Sequence, residues 1–270
     1  MNRKKLFKGL FLLLALSILL VGCKSKEENK ATETGEKTKE VTDKLIIGFD
    51  PNFPPMGFKD TDGSYTGFDL ELAEKVAEKL NMEIELQPID WGSKDAELDS
   101  GNINVIWNGF TKTGREDKYT FTEPYMENRQ VMVVNKDSEY KTLKDLEGKN
   151  IELQQGSTAE KALDDSKEFK KSLGEVLNVP DNLTALNDLE QGSTEAVLMD
   201  EVVAKYNINN GRNFRVIEES LKDEEYAVGF KLGNEELKDK IDGALKELAS
   251  EGILKDLSVK WIGEDKTLIK

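Results

Sequence analysis

The 270-residue sequence has no histidine and a single cysteine, Cys23. A disulfide within the chain is therefore excluded, and so are a histidine general base and a Cys/His zinc cluster. Positive charge is in deficit as well: 38 Lys and Arg face 53 Asp and Glu, leaving a net −15. That balance argues against a nucleic-acid partner, which needs a basic face. Long apolar runs are also scarce. The longest, from Leu10 to Val21, falls short of the ~20 residues that a membrane-spanning helix needs.

That run has a different anatomy. Arg3, Lys4, Lys5 and Lys8 precede it, as in a secretory signal. It ends in Leu20-Val21-Gly22-Cys23, which resembles the bacterial lipobox. The resemblance implies a lipoprotein signal peptide over 1–22 and a diacylglyceryl group on Cys23. Two acyl chains anchor a protein stably where one does not. Cleavage before Cys23 removes four positive charges and takes the net charge from −15 to −19. Residues 24–43 are nearly all Lys, Glu, Thr, Ser, Asn, Gly and Asp, with no apolar period before Val41. Together 23–43 read as a lipidated cysteine and a disordered tether.

From Lys44 the pattern changes. Residues 44–50 read as a buried strand running into a proline-rich stretch, 51–58, with no regular structure expected there. Asp60-Thr-Asp-Gly63 reads as a turn. Asp69 is placed to cap a helix carrying Leu70, Ala73, Val76, Ala77 and Leu80 at helical spacing. Strands follow at 83–89, 103–107 and 129–134, with a helix near 93–100. A second series places strands at 150–153, 175–179, 195–199 and 214–217, with helices between them. A return strand, 226–231, leads into a final helix. The alternation predicts an α/β protein of two lobes, each a mainly parallel sheet flanked by helices. Lobe I spans 44–134 plus 226–270, and lobe II spans 135–225. A two-strand hinge near 133–137 and 220–226 joins them, and ligand belongs in the cleft.

The chemistry gathers at strand ends, where parallel sheets bind ligands. Val105-Ile106-Trp107 stops at Asn108-Gly109, and Thr111, Thr113 and Arg115 follow. Hydroxyls, a permissive glycine and a planar guanidinium fork suit a small carboxylate. The alternative is a surface arginine paired with Glu116 or Asp117. Gly156-Ser157-Thr158 opens a helix and presents free N–H groups to an anion, or is simply a cap. Asp200, after Ala196–Met199, holds a ligand ammonium or caps the next helix. An anion clamp facing an acid describes a zwitterion, an α-amino acid. Phe53, Phe58, Trp91 and Trp107 are candidate apolar walls, with Phe53 and Trp91 placed in the cleft because they follow strand ends. Asp50 meets a polar or cationic side chain, or serves as a turn acid before Pro51.

Assembled, these residues resemble the family 3 extracellular solute-binding proteins, which serve bacterial ABC importers of polar amino acids. The likeness covers roughly 44–262. It rests on Ile47-Gly-Phe-Asp-Pro-Asn-Phe-Pro-Pro-Met-Gly-Phe58, Gly67-Phe-Asp-Leu70, Trp107-Asn-Gly-Phe-Thr111 with Arg115, Phe121-Thr-Glu-Pro-Tyr125, Leu146-Glu-Gly-Lys149, Gly156-Ser-Thr-Ala159 and Met199-Asp200. It implies a type 2 periplasmic-binding-protein fold. It implies that Arg115 and Thr158 bind the ligand α-carboxylate. It implies that Asp200, with Gly109 and Thr111, binds the α-ammonium, with Asn108 at the same strand end. Phe53 and Trp91 sandwich the side chain, Asp50 sits near its tip, and Gln154, Ser157 and Ala159 line the second lobe's loop. The spacing Thr111-Lys-Thr113-Gly-Arg115 is one residue shorter than the family's usual Thr-x-Thr-x-x-Arg. The expected protein is a non-enzymatic monomer without cofactor or metal. It is lipid-anchored on the outer face of the cytoplasmic membrane and delivers glutamine, cystine or a basic amino acid to an ABC permease. The alternatives are an amino-acid sensor for a signalling receptor and a dehydratase-like enzyme on the same fold.

Overall fold

A computed structural model describes residues 44–270. The signal segment, the Cys23 lipidation site and the tether lie outside the described residues. Two five-stranded sheets organise the chain. The first runs Glu83–Pro88, Lys44–Phe49, Val105–Ile106, Gly229–Lys231, Tyr119–Phe121 across its width. The second runs Val176–Val179, Ile151–Gln154, Ala196–Asp200, Met126–Asn135, Phe214–Tyr226. Both are mixed. Lys44–Phe49 pairs in parallel with strands on either side, while Gly229–Lys231 enters antiparallel. In the second sheet Ile151–Gln154 has parallel neighbours, and Met126–Asn135 is antiparallel to both of its own.

The strands form where apolar residues are buried on both faces. Val131 and Val133 belong to one core cluster, while Met132 and Val134 belong to another. Val105 and Ile106 divide in the same way. Alternate residues of a strand point to opposite faces, so a sheet covered by helices on both sides reads as an unbroken apolar run. Each such side chain contributes roughly 1.5–3 kcal/mol on burial.

Several sequence expectations need correction. The stretch after Asp50 is not irregular: Asn52–Phe53, Gly57–Lys59 and Tyr65–Thr66 form a small antiparallel sheet. Asp69 does not cap its helix. The helix, Phe68–Leu80, begins after Gly67, and Asp69 is fully buried inside its first turn. Residues 214–226 form one long strand rather than a strand and a hinge loop. Register shifts between Val216 and Lys222 bend that strand, so its charged residues pair edge-on with Met126–Asn135. Met126–Asn135, expected in lobe I, finds all its strand partners in the second sheet. The chain therefore passes between sheets at 122–125 and again at 227–228. These two crossings are bonded to each other, Thr122 N–H to the Val228 carbonyl at 3.1 Å and Tyr125 N–H to the Tyr226 carbonyl at 2.9 Å.

Candidate functional site

Strand ends of the two sheets line a narrow cavity between them. It is lined by Phe53, Trp91, Asn108, Gly109, Thr111 and Arg115 from the first sheet's loops, and by Gln154, Ser157, Thr158 and Asp200 from the second's. Of the residues singled out for ligand contact, Asp50, Phe58, Trp107 and Ala159 are not on that wall. Asp50 is buried just behind it and accepts a bond from Gln154 Nε2 at 2.6 Å. Phe58 and Trp107 are elsewhere: Phe58 packs against Tyr206 and Trp261, and Trp107 is fully buried in the core. Ala159 is likewise buried in the second sheet's core cluster.

One end of the cavity is cationic. Arg115 lies over the Phe110 ring at 4.8 Å. Its guanidinium donates to the Thr111 carbonyl at 3.3 Å and the Gly156 carbonyl at 3.2 Å. Among the described residues its hydrogen bonds go to these two carbonyls and not to Glu116 or Asp117. Burial holds its pKa below the usual guanidinium value. Beside it begins the helix Thr158–Asp165, with Ser157 at its cap position. The Ser157 hydroxyl does not cap that helix; it is buried and has no hydrogen-bond partner among the described residues. Gly156 turns the chain into the helix at φ +69°, a conformation that glycine adopts without strain.

An acidic group adjoins this end: Gln130 Nε2 donates to both Thr158 Oγ1, at 3.3 Å, and Asp200 Oδ1, at 3.0 Å. Asp200 ends its strand, and its side chain caps nothing. Its Oδ1 accepts from Tyr226 OH at 2.7 Å, Asn128 Nδ2 at 2.7 Å and Gln130 Nε2 at 3.0 Å. Burial, reinforced by the nearby Glu224, pushes its pKa up to about 7. Three donors on one oxygen fix the carboxyl's orientation, and a cation near the other oxygen would favour the charged form.

Tyr226, Asn128 and Gln130 were missed in the sequence, and so were two acids that hold this site. Glu224 is buried, and its Oε2 accepts from Gln130 Nε2 at 2.9 Å, Thr111 Oγ1 at 3.0 Å and Thr158 Oγ1 at 3.1 Å. It therefore ties a hydroxyl from each side of the cavity to the return strand. A hydroxyl has one proton; with it donated to Glu224, the oxygen can only accept, as Thr158 Oγ1 does from Gln130 Nε2 at 3.3 Å. The alternation Glu224, Glu225, Tyr226 as buried, exposed, buried is the signal, visible only once 214–226 is read as a strand. The second is Asp69, which accepts from Gly109 N–H at 2.5 Å and Tyr125 OH at 2.7 Å. Burial pushes its pKa up to about 7. It pins the Gly109 turn, whose φ of +54° and 2.8 Å clearance from Phe53 leave no room for a side chain.

At the far end, Asp50 N–H donates to Asn108 Oδ1 at 3.0 Å, and Asn52 N–H donates to Asp50 Oδ1 at 2.8 Å. Burial pushes the Asp50 pKa up to about 6, with Asp181 and Asp90 adding to the rise. The Asn108 Nδ2 group has no partner among the described residues. A cavity with cation, acid, hydroxyls and aromatic walls is built for a small dipolar molecule.

The model of the bacterial extracellular solute-binding proteins, family 3, matches residues 45–264. The chain belongs to this family. Among its relatives, the L-cystine-binding protein TcyJ of Escherichia coli K12 is 32% identical over 227 residues, covering 83% of this chain and 84% of the relative. The arginine-binding extracellular protein ArtP of Bacillus subtilis is 30% identical over 264 residues, covering 96% of this chain and 99% of ArtP. A crystal structure of an ABC uptake transporter substrate-binding protein from Streptococcus pneumoniae with bound histidine is 37% identical, with a TM-score of 0.81. It covers 84% of this chain and 95% of that one. This solute-binding protein shares their α/β architecture. None of its helices among the described residues is long and apolar enough to cross a membrane.

Proposed function

We propose that this family 3 protein captures a polar L-amino acid between its two sheets and hands it to an ABC permease. The observation that carries this reading is one cavity whose wall brings Arg115 and the Ser157–Thr158 helix start together with Asp200. In this reading the α-carboxylate bonds to Arg115 and the Thr158 N–H. The α-ammonium meets Asp200, with the Thr111 and Thr158 hydroxyls presenting lone pairs to it. Phe53 and Trp91 flank the side chain, and Asp50, Asn108 and Gln154 meet its tip. Each charge-assisted bond contributes roughly 1.5–3 kcal/mol net, so the full set is needed to reach the ~8 kcal/mol of micromolar binding.

Closure is part of the proposal. The lobes are the two sheets with their helices, and the crossings at 122–125 and 227–228 are the hinge. Ligand favours the closed form because it bonds to both lobes only there. Cys23 holds the domain at the outer membrane face through its acyl chains. A second reading, an enzyme on this fold, draws on Asp200, an acid on the cavity wall whose raised pKa suits proton transfer near neutrality.

A thermal-shift panel of the protein against all common amino acids and cystine tests both. Binding to the native state raises the melting temperature by mass action. A rise with one or a few polar amino acids, each recovered unchanged by mass spectrometry, is the expected result. Turnover of the stabilising ligand would select the enzyme, and no rise with any of them would overturn amino-acid binding.

A further inference from the structure

Lys94 is a second cation beside Arg115 at the Gly156 turn. It opens the helix Lys94–Ser100, yet its side chain is buried rather than solvated. Its Nζ donates to the Gly156 carbonyl at 3.1 Å and to the Trp91 carbonyl at 3.3 Å, and lies 5.2 Å from the Trp91 ring. The Gly156 carbonyl is thus shared by Lys94 from one side and Arg115, at 3.2 Å, from the other. A Cβ on Gly156 would come within 3.3 Å of Nζ, so the close approach uses the missing side chain.

Among the described residues the hydrogen bonds of both cations go to backbone carbonyls. Two positive groups therefore converge on one neutral oxygen, while a carboxylate at the same turn, Glu160, accepts from the Gly156 N–H at 3.1 Å. Their proximity is unfavourable: burial and the neighbouring Arg115 push the Lys94 pKa down to about 8. Buried cations are retained where something of opposite charge joins them. The shared carbonyl belongs to the residue just before Ser157-Thr158, the helix start facing the cavity. Lys94, Arg115, Ser157 and Thr158 also line one outer groove.

We propose that Lys94 is a carboxylate-selecting residue: with Arg115 it forms a paired positive field at the Gly156–Thr158 turn that an α-carboxylate neutralises. This rests on the amino-acid reading of the cavity. It assigns Lys94 a charge effect, exerted through the turn, distinct from the direct bidentate grip expected of Arg115. Because Lys94 comes from the first sheet's side and Gly156 from the second's, the field is assembled only with the two together.

The test compares L-arginine, L-histidine and L-glutamine with their α-carboxamides by calorimetry. The carboxamides keep the side chain and ammonium but lose the carboxylate charge. Wild type is expected to prefer at least one acid over its amide by about a hundredfold or more. In Lys94→Met that preference is expected to fall about tenfold, through weaker acid binding, while amide binding stays near wild type. Lys94→Arg keeps the charge and is expected to keep most of the preference. A purely structural lysine would weaken acid and amide alike, and equal losses in Lys94→Met would overturn the inference. An undiminished preference in Lys94→Met would overturn it too, leaving the amino-acid reading intact. If wild type binds acids and amides equally, the cavity reading falls and this inference with it.

Discussion

The acidic and the basic groups at the cavity solve the problem of a buried charge in opposite ways. Among the acidic groups one oxygen of each carboxyl gathers side-chain donors: Asp200 takes three bonds on Oδ1, and Glu224 takes amides and hydroxyls on Oε2, its Oε1 having no partner among the described residues. The basic groups, Arg115 and Lys94, meet only backbone carbonyls and aromatic faces. Neutral partners compensate a buried cation incompletely. The difference teaches that the acidic groups are oriented in advance, whereas the basic groups are completed by an anion. The carboxylate should then dominate affinity, and the ammonium should set its pH dependence.

The largest effect follows from removing a basic group. Arg115→Ala should lower affinity for every amino acid by at least a hundredfold, read by calorimetry, since it removes a bidentate charged contact. Asp200→Asn should cost roughly tenfold to a hundredfold at pH 7.5. Its partners Tyr226, Asn128 and Gln130 already hold the group in place. If Asp200→Asn proved worse than Arg115→Ala, the ranking of the two groups would be reversed.

A smaller and more diagnostic effect is pH. Asp200 in the ligand-free protein has its pKa pushed up to about 7, and pairing with an ammonium would lower it. Binding therefore releases a proton below pH 7. Affinity should rise with pH between about 5 and 7, by up to about tenfold per unit, and Asp200→Asn should flatten that slope. Stability of the ligand-free protein should run the other way. Asp69 and Asp200 are protonated in the native state up to about pH 7 but ionise near pH 4 when unfolded. The native state then holds more protons, so urea stability should fall as pH rises from about 4 to 7. The smallest effect is expected at the side-chain end. Asp50→Ala should reorder the ranking of ligands while leaving the dependence on Arg115 unchanged, as read in the thermal-shift panel.

How much of this was visible in the sequence depends on the kind of signal each residue carries. Arg115, Gly156-Ser157-Thr158 and Asp200 follow short apolar runs, and a run that stops at a turn marks a strand end without any coordinates. The α/β alternation was legible for the same reason, because buried strands and amphipathic helices differ in period. Asp69 misled because an acid at a helix start looks the same whether it caps the helix or turns inward to another segment's N–H. Only tertiary contact with Gly109 and Tyr125 separates the two. Glu224 hid in a run of charges, Lys222-Asp-Glu-Glu225, that reads as a solvated loop. Its burial depends on Met126–Asn135 lying alongside. Lys94 sits among the polar residues of a short helix, and nothing local distinguishes it from a solvated lysine. Motifs at element ends were readable; buried charges held by distant partners were not.

The most direct test of the central claim is a crystal structure of the protein grown with the amino acid that raises its melting temperature most. The account predicts the ligand α-carboxylate within hydrogen-bonding distance of the Arg115 guanidinium and the Thr158 N–H, with the α-ammonium against Asp200. A ligand seated with those groups reversed, or bound outside the cavity between the sheets, would contradict it.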